Sequence, residues 1–306
     1  MEAPRVMEAP QLRPLGVGDI VDRVFALYRS RPVLFLALAA IPYLVFFLVV
    51  GALGVAFAAS FITLGTFAEL ATARPATAGL TPALISALVA ALVFGLIVIV
   101  VAIVIFSAQS AALVEATAAR HLGRDMNLGA AFRAGLRAAP RVIGAGFLAF
   151  FALFVVWVVL AVAMAIANNG WVFFLGVVGG LIFTVYAGIA WVVAPAVATL
   201  EPVGPLQALR RAWFLSSGSR WRIIGLQLLL LILNVVLTAL FSLVLFSELI
   251  GDATIRFILQ QAVSLAANIF WAPIQWATVT VLYFDLRVRK EALDLQLAAE
   301  ALPREA

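Results

Sequence analysis

Three acidic residues recur at nearly equal intervals, each close to the end of a long apolar stretch of the chain. They are Glu115, Glu201 and Asp285, which lie 86 and 84 residues apart. Carboxylates at the ends of apolar helices can couple protons or pair with basic side chains. Because basic residues follow each acid closely, we expect ion pairs at the inner edge of a membrane, with Arg120, Arg210 and Arg287 as the candidate partners.

Neutral polar side chains stand within otherwise apolar segments and could line a path for a polar solute. The segment 257–284 is the richest, and it includes Gln260, Gln261, Ser264, Asn268, Gln275, Thr278 and Pro273. The candidate path residues are Gln109, Gln261, Asn268 and Gln275. Hydrogen bonding between packed helices would use the same side chains. Both interpretations stay open, and packing is the more common one.

No motif for a known type of reaction is present in the sequence. The chain has no cysteine and one histidine, His121. A lone histidine with no paired acid nearby does not form a multi-histidine metal site, and we expect His121 to be solvated in a loop. The sequence therefore predicts no catalytic residue, metal or cofactor. A lipid-modifying membrane enzyme is the least favoured alternative.

Composition indicates that the chain lies in a membrane. It is 65% hydrophobic and 11% charged, whereas soluble domains are about half apolar and about a quarter charged. A spanning helix needs roughly 20 apolar residues. An Asn-Asn-Gly turn at 168–170 divides the longest charge-free run. Six helices are predicted near 33–60, 83–112, 142–167, 171–197, 223–247 and 257–284.

Basic residues alternate with these helices. All of the 20 Lys and Arg residues except Arg74 and Arg256 lie before the first span, after the second, fourth and sixth spans, or in the C-terminal tail. Because basic residues near short loops stay in the cytoplasm, both termini are predicted to be cytoplasmic, in a bacterial cytoplasmic membrane. Aromatic residues with a polar group favour headgroups, and we expect this position for Trp171, Trp221 and Tyr283.

Each cytoplasmic segment contains an amphipathic stretch that leads into a span, at 18–31, 127–141 and 204–217. Such helices tend to lie in the membrane plane. The predicted fold is therefore an all-α polytopic membrane protein of three hairpins, each preceded by an interfacial helix. With the spaced acids, this pattern favours a threefold repeat, although any six-span protein with short inner loops resembles it. The expected parts of one membrane domain are a flexible tail 1–17, repeats 18–118, 127–203 and 204–290, and a cytoplasmic tail 291–306.

Several arginines of the connections are candidates for contact with lipid headgroups or a partner. They are Arg133, Arg137, Arg141, Arg210, Arg211, Arg220 and Arg222. Each arginine near an anionic leaflet contributes about 1 kcal/mol, so we expect anionic lipids as partners and no nucleic acid. Small residues at every fourth position of 176–188 allow close packing within the bundle or, less economically, in a homodimer.

Three stretches, 12–23, 200–213 and 282–295, resemble the bacterial family named for the glycerophosphoryl diester phosphodiesterase membrane domain. The most specific part is Tyr-Phe-Asp-Leu-Arg-Val-Arg-Lys-Glu at 283–291. That family takes its name from fusions in which a soluble phosphodiesterase barrel follows the membrane part. Because the barrel and its metal-binding residues are not found in this sequence, the resemblance implies a six-span membrane module and no phosphodiesterase activity.

The function that fits these patterns best is a non-enzymatic integral membrane module. It would scaffold a membrane-protein partner or organise lipids at the inner leaflet. The alternative is a transporter or permease component with a path lined by the second, fourth and sixth spans.

Overall fold

The computed structural model describes residues 14–63, 82–243, 253–293 and 296, and all regular structure in these ranges is helical. Helices α1 to α3 are Val17–Ser30, Pro32–Thr63 and Pro82–His121. Helices α4 to α6 are Leu128–Ala167, Gly170–Trp191 and Ala194–Leu200. Helices α7 to α9 are Pro205–Ser216, Arg220–Leu243 and Ala253–Glu291. Within the described ranges, six helical segments are long and apolar enough to cross a membrane, which confirms the predicted all-α polytopic class.

The helices extend past the predicted spans at the ends where the basic residues lie. The second amphipathic stretch is not a separate helix, because it forms the first part of α4. Its alanines have high helix propensity, and the side chain of Asn127 caps the helix by accepting a hydrogen bond from the Ala130 N–H at 2.8 Å. The predicted tail 1–17 up to residue 13, the connections around Arg74 and Glu248, and most of the tail 291–306 lie outside the described residues.

The predicted turn between the third and fourth spans is formed by two asparagines. Asn168 ends α4 in the left-handed conformation with φ 43°, which asparagine tolerates better than most residues. Asn169 then begins α5 by accepting a hydrogen bond from the Trp171 N–H at 2.8 Å. The turn therefore closes one helix and opens the next within two residues.

The fourth span is broken near its end. Helix α5 ends at Trp191, and α6 begins at Ala194 with Pro195 in its first turn. A proline has no N–H to donate, and its ring clashes with the carbonyl four residues earlier, which here belongs to Trp191. The proline is well tolerated at the start of a new helix, so the break falls directly before it.

The chain divides into two compact units. One comprises residues up to Ala39 and from Ala108 onward, and the other is Ala40–Ser107. The smaller unit contains parts of α2 and α3 that meet through aromatic rings. Phe57 stacks on Phe94 with ring centroids 4.6 Å apart, and Tyr43 approaches Phe106 at 4.9 Å.

Small residues pack the larger unit closely. A Cβ at Gly135 of α4 would lie 2.6 Å from the Ala108 carbonyl oxygen of α3, so this approach requires glycine. Gly176 and Gly180 of α5 pack against α4 in the same way, with Met164 and Leu160 as neighbours. This glycine stripe therefore serves helix packing within the unit.

The buried core of the larger unit lies where the basic residues are concentrated. Residues Ala111–Val114, Ala196–Thr199 and Val281–Phe284 are all buried, and each run comes directly before or within one residue of a predicted inner-edge acid. Ile20, Val24 and Leu27 of α1 belong to the same hydrophobic core. The core thus fixes the positions of the three acids.

Candidate functional site

Except for Arg256, the described acids and arginines of the larger unit gather where α3, α6 and α9 end and where α1, α7 and the first parts of α4 and α8 lie. We call this region the basic end. Its charged side chains form two ion clusters that join helices and a more exposed group around Asp125. They also line a cavity and lie on two exposed helix faces. Each is built from groups whose positions are fixed by the buried runs described above.

The first cluster forms around Asp285, whose side chain is fully buried. Its carboxylate pairs with Arg222 of α8 at 2.7 Å and with Arg289 of α9 at 3.1 Å. It also accepts a hydrogen bond from the Leu15 N–H at 2.7 Å. The Leu15 carbonyl in turn accepts hydrogen bonds from Arg222 at 2.6 Å and Arg289 at 2.9 Å. The cluster therefore joins the segment before α1 to α8 and α9.

The second cluster forms around Glu201, at the end of α6. Its carboxylate pairs with Arg211 of α7 and accepts a hydrogen bond from the Tyr283 hydroxyl of α9 at 2.8 Å. Arg211 also pairs with Glu291 at 2.9 Å. Arg141 of α4 donates to the Glu201 backbone carbonyl at 2.9 Å. Four helices thus converge on one acid.

Arg211 is held in its charged form by this cluster. Burial alone would lower the pKa of its guanidinium, but hydrogen bonds and the charges of Glu201 and Glu291 outweigh that effect and raise the pKa above its ordinary value. An arginine is charged at every physiological pH in any case, so the cluster strengthens a charge already present and acts as a fixed connection between helices.

The predicted partners of the three acids are wrong. Glu201 pairs with Arg211 instead of Arg210, which is exposed. Asp285 pairs with Arg222 and Arg289, because Arg287 is one helical turn from Glu291 and pairs with it at 2.9 Å. Arg120 pairs with Asp125 at 2.7 Å. The i, i+4 spacings within 283–291 are the sequence signal that could have identified two of these contacts, Asp285 with Arg289 and Arg287 with Glu291.

The third acid, Glu115, differs from the other two. Its carboxylate has no hydrogen bond or ion pair to any residue in the described ranges. It lines a cavity of about 310 Å³ together with residues of the α3–α4 connection, α6 and α9. Arg124, Tyr283, Phe284 and Arg287 are among the lining residues. Glu115 is therefore half-buried and open to a ligand.

The seven candidate headgroup arginines fall into two groups. Arg141, Arg211 and Arg222 bind acids or backbone carbonyls within the basic end. Arg220 lies over the rings of Tyr186 and Trp213, 4.3 and 4.8 Å from their centroids. The exposed members are Arg133, Arg137 and Arg210. Only the three exposed arginines leave their guanidinium groups at the surface for another molecule.

The four candidate path residues are placed apart from one another in the bundle. Gln109 is buried and donates to the Ala39 carbonyl at 2.9 Å. Gln261, Asn268 and Gln275 are exposed on one face of α9, seven residues apart. The Asn268 amide donates to the Ser264 carbonyl of its own helix at 2.7 Å. Gln109 thus has a packing role, and the other three face outward.

Two aromatic residues lie deeper than the sequence suggested. His121 is only 4% exposed, because it is the last residue of α3 and stacks on Phe284 with centroids 5.1 Å apart. The expectation of a solvated loop histidine is therefore wrong. Tyr283 is also buried, and its hydroxyl bonds to Glu201 instead of headgroups. Trp171 and Trp221 are exposed.

Within the part of the chain that the structure describes, no group of three His, Cys, Asp or Glu side chains could hold a metal ion. The charged groups of the two clusters are matched to one another, so their evident role is to join helices. The groups available to an outside molecule are the cavity at Glu115 and the exposed arginines.

A family model described as a domain of unknown function, DUF8558, matches residues 7–300. No curated protein and no solved structure matches the chain.

Proposed function

The chain belongs to the family described as a domain of unknown function, DUF8558, and we propose that it is a non-enzymatic membrane module that organises anionic lipids at its basic end. The basic end lies in the inner leaflet of a bacterial cytoplasmic membrane. The proposal includes a scaffold role, in which the lipid-bound face holds a membrane-protein partner.

The exposed faces of α4 and α7 carry this proposal. On α4, Arg133 and Arg137 lie beside Leu136, whose side chain is 59% exposed. On α7, Leu206, Arg210 and Phe214 are spaced four residues apart and are all exposed.

An exposed face that mixes large apolar side chains with arginines suits the boundary between acyl chains and headgroups. There the apolar groups enter the acyl region, and the guanidinium groups bind phosphate. In water the same apolar groups would be unfavourably exposed. The mixed faces thus support binding of anionic lipid.

The orientation is tested by thiol labelling, for which the cysteine-free chain is a clean background. Single cysteines at positions 130 and 169 should report opposite sides. In intact cells, an impermeant thiol reagent should label Asn169→Cys and leave Ala130→Cys unlabelled. The reverse pattern would place the basic end outside and refute the proposal.

Lipid preference is tested with protein reconstituted into bilayers of phosphatidylglycerol and phosphatidylcholine. Energy transfer from tryptophan to a pyrene-labelled form of either lipid measures which lipid surrounds the protein. We expect phosphatidylglycerol to be enriched several-fold. Substitution of Arg133, Arg137 and Arg210 by glutamine should remove most of the enrichment, because each arginine contributes about 1 kcal/mol.

The control is Arg256→Gln, at the other end of α9. The 29 residues that separate it from Asp285 correspond to about 43 Å of helix. This single variant should leave the enrichment at the basic end unchanged. Enrichment that survives the triple substitution would contradict the proposal, as would a preference that does not weaken with added salt.

A further inference from the structure

The cavity at Glu115 combines two charged groups of opposite sign that are available to a ligand. The Glu115 carboxylate has no hydrogen bond or ion pair in the described ranges and feels only the longer-range attraction of Arg124 and Arg141. Arg124 is exposed, and its side chain has no hydrogen bond or ion pair there. The other charged lining residues are wholly or partly engaged. Asp125 pairs with Arg31 and Arg120, and Arg287 donates to Glu291 and to the Tyr283 hydroxyl. A ligand would therefore meet one carboxylate, the Arg124 guanidinium and the remaining donor of Arg287.

The remaining walls limit the size and character of the ligand. Leu200 and Phe284 supply apolar surface, and the Tyr283 hydroxyl and Arg287 supply polar groups. A cavity of about 310 Å³ lies at the lower end of the range for small-molecule sites. It is large enough for a headgroup and too small for a whole lipid.

We propose that this cavity binds a zwitterion with a primary ammonium group and a phosphate, such as the headgroup of phosphatidylethanolamine. Glu115 accepts hydrogen bonds from the ammonium group, and Arg124 and the free part of the Arg287 guanidinium bind the phosphate. Arginine binds phosphate well because its planar donors match phosphate oxygens. An ammonium group is the natural partner of an unpaired, half-buried carboxylate.

A simple anion fits this cavity less well, because the Glu115 carboxylate, although attracted by Arg124 and Arg141, would repel an anion bound beside it. A quaternary ammonium fits less well too, since it has no N–H to donate to Glu115. Glu115 and Arg124 form no ion pair with each other in the structure, so both remain open to a ligand. The cavity therefore selects for a primary amine and a phosphate together.

The same chemistry is present in a membrane lipid and in free phosphoethanolamine. The proposal that the ligand is a membrane lipid depends on the proposed function, which places the basic end at headgroup level. The chemistry of the cavity does not depend on that placement. The residues involved also differ from Arg133, Arg137 and Arg210, which carry the preference for anionic lipid. Each proposal can therefore fail while the other holds.

The test uses the full chain, purified in a mild nonionic detergent, with native mass spectrometry to measure binding. The probes are short-chain phosphatidylethanolamine, its mono-, di- and trimethylated forms, phosphatidylglycerol and free phosphoethanolamine. We expect one bound phosphatidylethanolamine per chain, with affinity falling at each methylation. The trimethylated form should bind at least about tenfold more weakly, as expected when a charged hydrogen bond is lost. This comparison needs no variant protein.

Variants then assign the contacts. Glu115→Gln and Arg124→Gln should each weaken phosphatidylethanolamine binding at least about tenfold, whereas Glu115→Asp should retain most of it. Asp22→Asn and Arg29→Gln change exposed charges on α1 and serve as matched controls without effect. The triple substitution of the exposed arginines should also leave this binding intact.

Equal affinity for phosphatidylethanolamine and its trimethylated form would overturn the proposal. So would binding that survives Glu115→Gln, or equally strong phosphatidylglycerol binding that survives it. Free phosphoethanolamine that binds as tightly as the lipid would support the zwitterion site and identify a soluble ligand. Binding of the lipid alone would support it and identify the membrane as the source.

Discussion

Asp285 and Glu115 occupy corresponding positions in the predicted repeat, yet their surroundings differ completely. Asp285 is fully buried and binds two arginines and a backbone N–H. Glu115 is half-buried, binds nothing in the described ranges and faces a cavity. The comparison teaches that an acidic residue near the end of the same kind of helix can join helices at one position and remain available to a ligand at another.

The difference follows from the neighbours of each acid. Asp285 is met by Arg222 from α8 and by the backbone of Leu15. At the end of α3, the nearest basic residue in sequence, Arg120, is engaged by Asp125 and Ser30 instead. The carboxylate of Glu115 is therefore left unpaired. Substitutions that remove one acid at a time test whether Asp285 joins helices and Glu115 does not.

The largest effect is expected for Asp285→Ala. It leaves two arginines facing each other and the Leu15 N–H without an acceptor, and breaking a buried ion pair in this way costs about 3–5 kcal/mol. The free energy of unfolding can be measured by titration with sodium dodecyl sulfate in mixed micelles. Asp22→Asn, an exposed change on α1, is the control. A loss no larger than that of the control would show that Asp285 does not join the helices.

A smaller loss is expected for Glu201→Gln, about 2 kcal/mol. The amide keeps the shape but loses the charge that holds Arg211. The Arg211 side chain is 29% exposed, so water replaces part of the lost interaction. Tyr283→Phe removes the hydrogen bond to the same acid and the longer one that Arg287 donates to the hydroxyl at 3.2 Å, and should cost about 1 kcal/mol in the same titration. If Glu201→Gln cost as much as Asp285→Ala, exposure would not explain the ranking.

Gly135→Ala sharpens the comparison because it changes packing near the end of α3 without touching either ion cluster. The added methyl group would meet the Ala108 carbonyl and the Ala112 backbone, and overpacking of this kind costs about 1–3 kcal/mol. Gly146→Ala is the matched control on the same helix. Its methyl group meets nothing, so it should stabilise by about 0.5–1 kcal/mol. Equal effects of the two variants would mean that α3 and α4 do not approach closely at Gly135.

The all-α, six-span architecture could be predicted from the sequence because it depends on the length of the apolar segments. Apolar length predicted six spans, and the Asn168–Asn169 turn was identified correctly because few residues combine a left-handed C-cap with an N-cap. Helix ends were less accurate, because the alanine-rich stretch before Arg141 continues α4 across the expected boundary. Hydropathy alone does not predict that the helix continues through this stretch.

The candidate site could be predicted only in part, because the ion-pair partner of each acid depends on which helices pack together. The three acids were identified as a set, but the contacts of Glu201 with Arg211 and of Asp285 with Arg222 join residues far apart in the chain. The burial of His121 depends on Phe284, which lies more than 160 positions later. Local spacing could have indicated only the i, i+4 pairs on α9, and these were not among the predicted pairs.

The smallest effect on stability, and the most informative for the comparison, is expected for Glu115→Gln. Because no residue in the described ranges forms a hydrogen bond or ion pair with the Glu115 carboxylate, replacing its charge with an amide of the same shape removes only the longer-range attraction of Arg124 and Arg141. The free energy of unfolding should change by no more than about 0.5 kcal/mol, and relief of an unpaired, half-buried charge could make the change favourable. The measurement is the detergent titration used for Asp285→Ala, with Asp285→Asn as the same chemical change at the paired acid. A loss of stability similar to that of Asp285→Asn would mean that Glu115 has a partner in the folded protein. The two acids would then be equivalent, as the repeat alone suggests, and the cavity would lose the free carboxylate on which its ligand depends.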